Sequence, residues 1–196
     1  MGVFGCFIEE GALLLIKAET NNHCNVFVDF CKAFDGLDHQ ILYQKLKNFK
    51  IEGSSLQLLK SFLVDRRQFV GYSNQVSKVL PIKVGVPQGS ILAPTLFLMF
   101  INDLLTLSLS SSAHAFADDT TFTCSHSDSL QLGRSCSVDL EKIHGWCVLD
   151  RMTINVEKPH FLVFGKPKSK ICLKLGDAIL SQSNNTKLFG FLSDFK

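Results

Sequence analysis

The segment HAFADDTTF, His114 to Phe122, constrains the fold of this chain more than any other. Ala115, Phe116, Thr120, Thr121 and Phe122 suit a buried or half-buried strand, yet Asp118 and Asp119 stand in the middle of the run. Adjacent carboxylates repel each other and resist burial. A β-hairpin with its turn at the aspartates satisfies both demands, because the apolar arms pair while the carboxylates stay solvated. The fold must therefore contain an antiparallel strand pair with an acidic tip.

The rest of the chain supplies partners for that hairpin. NVFVDF (25–30) is a β-branched and aromatic run that predicts a strand ending near Asp29. Asp38 predicts the cap of a helix with Ile41, Leu42, Leu46 and Phe49 on one face, stopped by Gly53. Ser54 or Ser55 opens a second helix with Leu56, Leu59 and Leu63 inward. RQFVGYS and SKVLPIKV read as paired hairpin arms, with Pro81 marking an edge or a bulge. GVPQGS (85–90) is loop chemistry, and Ser90 caps a long apolar helix reaching about Leu107, with Pro94 tolerated in its first turn. Leu132, Cys136, Leu140, Ile143 and Cys147 recur at helical spacing. FLVFG, ICLKL, AIL and LFGFL are short strand runs in the C-terminal part. This order predicts an α+β fold with an antiparallel sheet packed on helices.

At 196 residues, with 46% hydrophobic and 19% charged side chains, the chain can build a real core. Its net charge of +2 is small, but unevenly spread. Lys45 to Lys83 holds eight Lys/Arg against two acids, and Lys158 to Lys174 holds five Lys and no acid. Such stretches either grip a phosphate backbone, with Lys60, Arg66 and Arg67 as candidates, or are solvated faces of helices and hairpins. The seven cysteines form no C-x-x-C pair, so reduced thiols in an intracellular, non-secreted protein are expected rather than a zinc or disulfide framework. ILAPTLFLMFI is too short to span a bilayer, and MGVFGCFIEE lacks the basic residues of a signal peptide, so no membrane partner is expected.

Asp118 and Asp119 have two readings: solvated turn residues, or ligands of a divalent cation. Oxygen donors suit Mg²⁺, which is bound by one or two carboxylates together with substrate phosphates. A metal site needs a further carboxylate, and Asp29 qualifies because it ends a strand, where burial alone disfavours a charge. Asp35 and Asp38 are explained as turn and cap residues. Acidic residues at neighbouring strand ends are what two-metal phosphoryl or nucleotidyl transfer requires.

VFVDFCKAFD, GVPQGSILAPTLFLMFIND and FADDTTF, in that order, closely resemble reverse transcriptases of non-LTR (LINE-like) retrotransposons. NVEKPHFLVFG and TKLFGFL resemble two later motifs of the same palm domain, so the resemblance spans residues 12 to 194. It implies a polymerase palm, with 1–24 a remnant of the fingers, 25–165 the palm core and 166–196 the strands at its end, and with the fingers expected to be largely missing and the thumb absent. It implies that Asp29 and Asp118, with Asp119 beside them and the Phe30 carbonyl as an extra ligand, hold two Mg²⁺ ions, Mn²⁺ being an alternative.

The implied partners are an RNA template, a DNA primer and deoxynucleoside triphosphates. Phe34 matches the bulky position beneath the sugar that excludes a 2′-hydroxyl. Gln88 and Gly89 match the segment contacting the template and the nascent base pair. Lys158 matches the lysine that protonates or neutralises the leaving pyrophosphate, although Pro159 and His160 follow it where the family has threonine or serine next. Ala93 stands where a glycine is common. A palm cut at both ends predicts little activity for the isolated chain, and exposed apolar surface that favours self-association. The other readings are a non-enzymatic remnant that binds nucleic acid, and an Asp-based, Mg²⁺-dependent phosphohydrolase.

Overall fold

Pairing of the apolar runs builds a sheet around the strand that ends in Asp29. In this computed structural model residues 22–116, 119–155, 160–165, 167, 169–183, 185–188 and 191–194 are described, of which 116, 185–188 and 191–194 by backbone alone. They fall into two compact units. The first comprises residues 1–29, 107–146 and 154–196, and the second residues 30–106 and 147–153.

The first unit is a sheet covered by a helix. Asn22–Asp29 (β1) starts earlier than NVFVDF suggests, because Asn22 and His23 already pair with the neighbouring strand. Ser112–Phe116 (β6) and Asp119–His126 (β7) form the expected antiparallel hairpin, with Phe116 opposite Asp119. His160–Phe164 (β8) lies on the other side of β1, and the two-residue strand Ser181–Gln182 (β11) adds to β8 in parallel. The resulting order is β11-β8-β1-β7-β6. β1 is therefore central, and Asn22 through Val26 are all buried instead of alternating. Short pairs Lys174–Leu175 (β9) with Ala178–Ile179 (β10), and Asn185–Leu188 (β12) with Phe191–Asp194 (β13), follow.

The amphipathic helix expected from its leucine and cysteine spacing runs Ser129–Leu149, and all five of its named core positions are buried. Its part within this unit carries Cys136 against Cys24 and Cys124 of the sheet. Asp139 on the same helix is buried and accepts hydrogen bonds from the backbone N–H groups of Ser110 (3.0 Å) and Ser111 (2.7 Å). That contact ties the chain entering β6 to the helix. Burial of Phe122 and Phe161 adds roughly 1.5–3 kcal/mol each to this core.

The second unit is helical. His39–Asn48 (α1) is capped by Asp38, whose side chain accepts from the N–H groups of Gln40 and Ile41, as the sequence predicts. Leu42 and Leu46 are buried, whereas Phe49 sits beyond the helix and is exposed. Gly53–Leu63 (α2) begins at Gly53 instead of at a serine, with Glu52 at the cap position and no side-chain cap. Leu92–Leu105 (α3) starts just after Ser90, whose hydroxyl accepts from the Ala93 N–H at 3.2 Å. Six of its residues are buried, including Phe97 and Phe100.

Arg67–Gln68 (β2) pairs with Leu80–Pro81 (β5), and Gly71–Tyr72 (β3) with Gln75–Val76 (β4), as one nested ribbon. Ser73 and Asn74 both have positive φ, the left-handed pair that a two-residue hairpin turn requires. The Ser129–Leu149 helix, α4, contributes its last residues to this unit. Among the described residues no helix is long and apolar enough to cross a membrane.

Candidate active site

Register brings the strand-end carboxylates together. In the β1–β7 ladder Asp29 is the direct partner of Asp119. Directly opposite residues of an antiparallel pair project to the same face with Cβ atoms about 4.5–5.5 Å apart, and like charges there repel. Asp29 is half-buried and Asp119 exposed. Asp118, which the sequence reading pairs with Asp29, lies outside the described residues with Ala117, between the paired Phe116 and Asp119. Lys158 and Pro159 also lie outside them. Among the described residues no three His, Cys, Asp or Glu side chains form a group able to hold a metal ion. The donors that do meet, two carboxylates on one sheet face, are hard oxygen ligands of the kind Mg²⁺ takes.

Two further side chains shape the neighbourhood of Asp29. Asn155 donates its Nδ2 hydrogen to Asp29 Oδ2 at 3.0 Å, and its backbone N–H to the Asp29 carbonyl at 2.9 Å. The sequence reading passed over Asn155, although it opens the NVEKPHFLVFG motif. His160, the departure after Lys158 and Pro159, begins β8 directly opposite Phe27 and stacks on its ring at 4.9 Å.

The remaining candidates belong to the helical unit. Phe30 is buried, and the N–H of the next residue, Cys31, donates to the Thr153 carbonyl at 2.8 Å. Phe34 packs its ring on Phe97 of α3 at 4.8 Å. Gln88 donates to Asp35 Oδ1 at 2.9 Å. The loop bearing Gln88 is held against the turn bearing Phe34 by hydrogen bonds from the Gly85 N–H to the Leu37 carbonyl (2.7 Å) and from the Val86 N–H to the Phe34 carbonyl (2.8 Å). Gly85 is the residue this docking demands, since a Cβ there would lie 2.6 Å from the Asp35 carbonyl oxygen at a φ of +79°. Gly89 also has positive φ, but a Cβ on it would meet open space. That positive φ alone favours glycine at this position.

The three basic candidates diverge. Arg66 donates to the Gly85 carbonyl at 3.1 Å, and His39 contacts the same oxygen at 2.7 Å, so Arg66 braces the loop. Lys60 lies 5.2 Å from the centre of the Tyr43 ring, a cation–π arrangement. Arg67 is exposed on the ribbon.

The helical unit also holds an ion cluster that sequence pattern does not reveal. Lys45 Nζ lies 2.7 Å from Asp103 Oδ1, 2.6 Å from Asp150 Oδ1 and 2.8 Å from the Phe100 carbonyl oxygen. Burial raises the Asp150 carboxyl above its ordinary value, against the opposing pull of Lys45. Cys147 is buried, which pushes its thiol up to about 12, with the Asp150 charge adding to the effect. Burial would also raise Asp38, but the Ile41 N–H, Arg151 and the Gln40 N–H together hold it below the ordinary value.

A family model described as reverse transcriptase (RNA-dependent DNA polymerase) matches residues 6–192. The chain is 29% identical over 192 residues to the probable RNA-directed DNA polymerase from transposon BS of Drosophila melanogaster, covering 92% of this chain and 21% of that protein. It is 33% identical over 122 residues to the probable RNA-directed DNA polymerase from transposon X-element of the same species, covering 58% and 13%. It is 30% identical over 139 residues to the RNA-directed DNA polymerase from mobile element jockey, again of Drosophila melanogaster, covering 67% and 15%. The chain thus spans about a fifth or less of the length of these relatives. A solved structure, apo telomerase from Candida tropicalis truncated from the C-terminal domain, superposes with a TM-score of 0.55 at 16% identity, covering 86% of this chain and 35% of that one. That likeness supports a polymerase palm-like α+β fold.

Proposed function

The chain belongs to the reverse transcriptase (RNA-dependent DNA polymerase) family, and we propose that it is the palm of a LINE-like element's polymerase, built to extend a DNA primer on an RNA template. The observation that carries this reading is the register that sets Asp29 opposite Asp119 on one sheet face. With Asp118 next in sequence, and the Phe30 carbonyl as an additional oxygen, these residues would hold Mg²⁺ or Mn²⁺. Bound there, a pair of such ions would favour ionisation of the primer 3′-hydroxyl and neutralise charge on the triphosphate.

The chain's own residues would supply position and shape. Phe34, whose ring packs on Phe97, would set its bulk beneath the sugar and so favour deoxynucleotides over ribonucleotides. The Gln88 loop, pinned through Gly85, is suited to bear on the template and the new base pair. Lys158 would neutralise or protonate the departing pyrophosphate. Lys60, Arg66 and Arg67 are the candidates for backbone phosphate contacts, and Arg66 in addition braces the loop through the Gly85 carbonyl. Phe69, Tyr72, Val76 and Leu80 are exposed on the ribbon, which supports self-association of the isolated chain.

Primer extension tests the proposal. On primed poly(rA) with oligo(dT) and Mg²⁺, a polypeptide spanning about a fifth of its relatives' length is expected to incorporate little dTTP by itself. Residues 25–165 grafted into one of the longer polymerases should extend the primer, and Asp29→Ala or Asp118→Ala in the graft should abolish extension. A folded graft that fails to extend would favour the non-enzymatic, nucleic-acid-binding reading. The Lys158-Pro159-His160 departure is the feature that keeps that reading open. Phosphate release from simple phosphoesters without a primer would point instead to a hydrolase.

A further inference from the structure

The double contact on Asp29 carries an inference of its own. Of the two hydrogen bonds from Asn155, the backbone one to the Asp29 carbonyl survives any substitution except proline, while the side-chain one depends on the amide. Only the NH₂ end of an asparagine can bond a carboxylate oxygen, so the donor assignment follows from the chemistry. We infer that Asn155 is a positioning residue for the metal-binding carboxylate of Asp29, an inference that rests on the reading proposed above.

Repulsion between Asp29 and Asp119 favours rotation of each carboxylate away from the other. A cation between them requires the opposite: a carboxylate held in one orientation before the ion arrives. Asn155 sets that orientation by engaging Oδ2. A carboxamide suits the task because it donates without adding charge. A lysine or arginine at this position would favour the same carboxylate but repel the incoming ion. The residues are separated by 126 positions, so the contact is a product of the fold and not of local chain geometry.

The effect of losing such a hydrogen bond on a ligating carboxylate is about 10–100-fold in metal affinity. The test uses the full 196-residue chain and Mn²⁺ alone as probe, with free ion followed by its electron paramagnetic resonance signal. Asn155→Leu preserves size and removes the donor, and Asn155→Ala serves if the leucine variant does not fold. Both should bind Mn²⁺ about 10–100-fold more weakly than the parent, with unchanged circular dichroism. Asn155→Gln, which retains the amide, should recover part of the loss, which a merely structural role would not predict. Asp29→Asn should abolish specific binding. If Asp29→Asn loses Mn²⁺ while both donor-free variants bind within threefold (a factor of ~3) of the parent, the positioning role is overturned and the metal site stands. If the parent does not bind Mn²⁺, or Asp29→Asn binds as the parent does, the metal reading falls and takes the positioning role with it.

Discussion

Two pairs of carboxylates in this protein meet in opposite ways. In the helical unit Asp103 and Asp150 converge on one ammonium group, that of Lys45, which also reaches the Phe100 carbonyl. In the sheet unit Asp29 and Asp119 oppose each other across two strands, and Asp29 is held by the uncharged amide of Asn155. A buried lysine between two acids closes a site, because the side chain fills the position an exchangeable cation would take. On the reading proposed above, acids at adjacent strand ends, one of them oriented by a neutral donor, would instead form a site for an exchangeable ion. Paired acids alone therefore do not mark a metal centre; what stands beside them decides.

The largest effect expected from this contrast concerns access to the closed cluster. With its thiol near 12, only about one Cys147 in 10⁴ is ionised at pH 8. Iodoacetamide should therefore alkylate the exposed Cys172 long before Cys147, as read by peptide mass spectrometry. Comparable rates at the two positions would show that the cluster region opens readily.

Removal of the cation is next in size. Lys45→Met should cost about 3 kcal/mol in urea unfolding, the low end for a broken buried pair because Asp103 is half exposed. A loss under about 1 kcal/mol would show that Lys45 does not hold Asp103 and Asp150 as a closed cluster. Asp38→Ala should cost about 1 kcal/mol through the lost helix cap. Its folded-state carboxyl lies below the ordinary value of 3.8, so the contribution is fully present above that value. It disappears as pH falls through the lower folded value, and the gap between parent and variant should close on acidification.

The smallest expected effect has the opposite sign. Asp119→Asn removes one of two like charges and should stabilise the chain by about 0.2–1 kcal/mol in the absence of metal, while weakening Mn²⁺ binding. Destabilisation by this substitution would indicate that Asp119 serves the fold, and would remove the contrast with Lys45.

Much of the architecture was legible. The Asp38 cap, the apolar faces at Leu42 and Leu46 and at Leu132 through Cys147, and the hairpin around the aspartates all follow from local patterns, and all are present. The errors lie at boundaries: Gly53 in place of a serine opens α2, and β1 begins at Asn22. Gly85 escaped notice because its necessity comes from the Asp35 backbone, far away in sequence. That Arg66 also braces the Gly85 carbonyl was not legible, because charge is visible in a sequence and a carbonyl partner is not.

Local sequence pattern sets which segments form strands and helices, which faces are apolar, and the order of motifs that marks the family. Periodicity and capping are local, so they can be read residue by residue. Long-range packing is what sets Asp29 opposite Asp119, brings Asn155 to Asp29, and gathers two acids on Lys45. A shift of one residue in the β1–β7 pairing would turn one of the two carboxylates to the other face. That register is held by long-range packing of the buried strand residues around Cys24, Val26 and Phe122, and no local pattern encodes it.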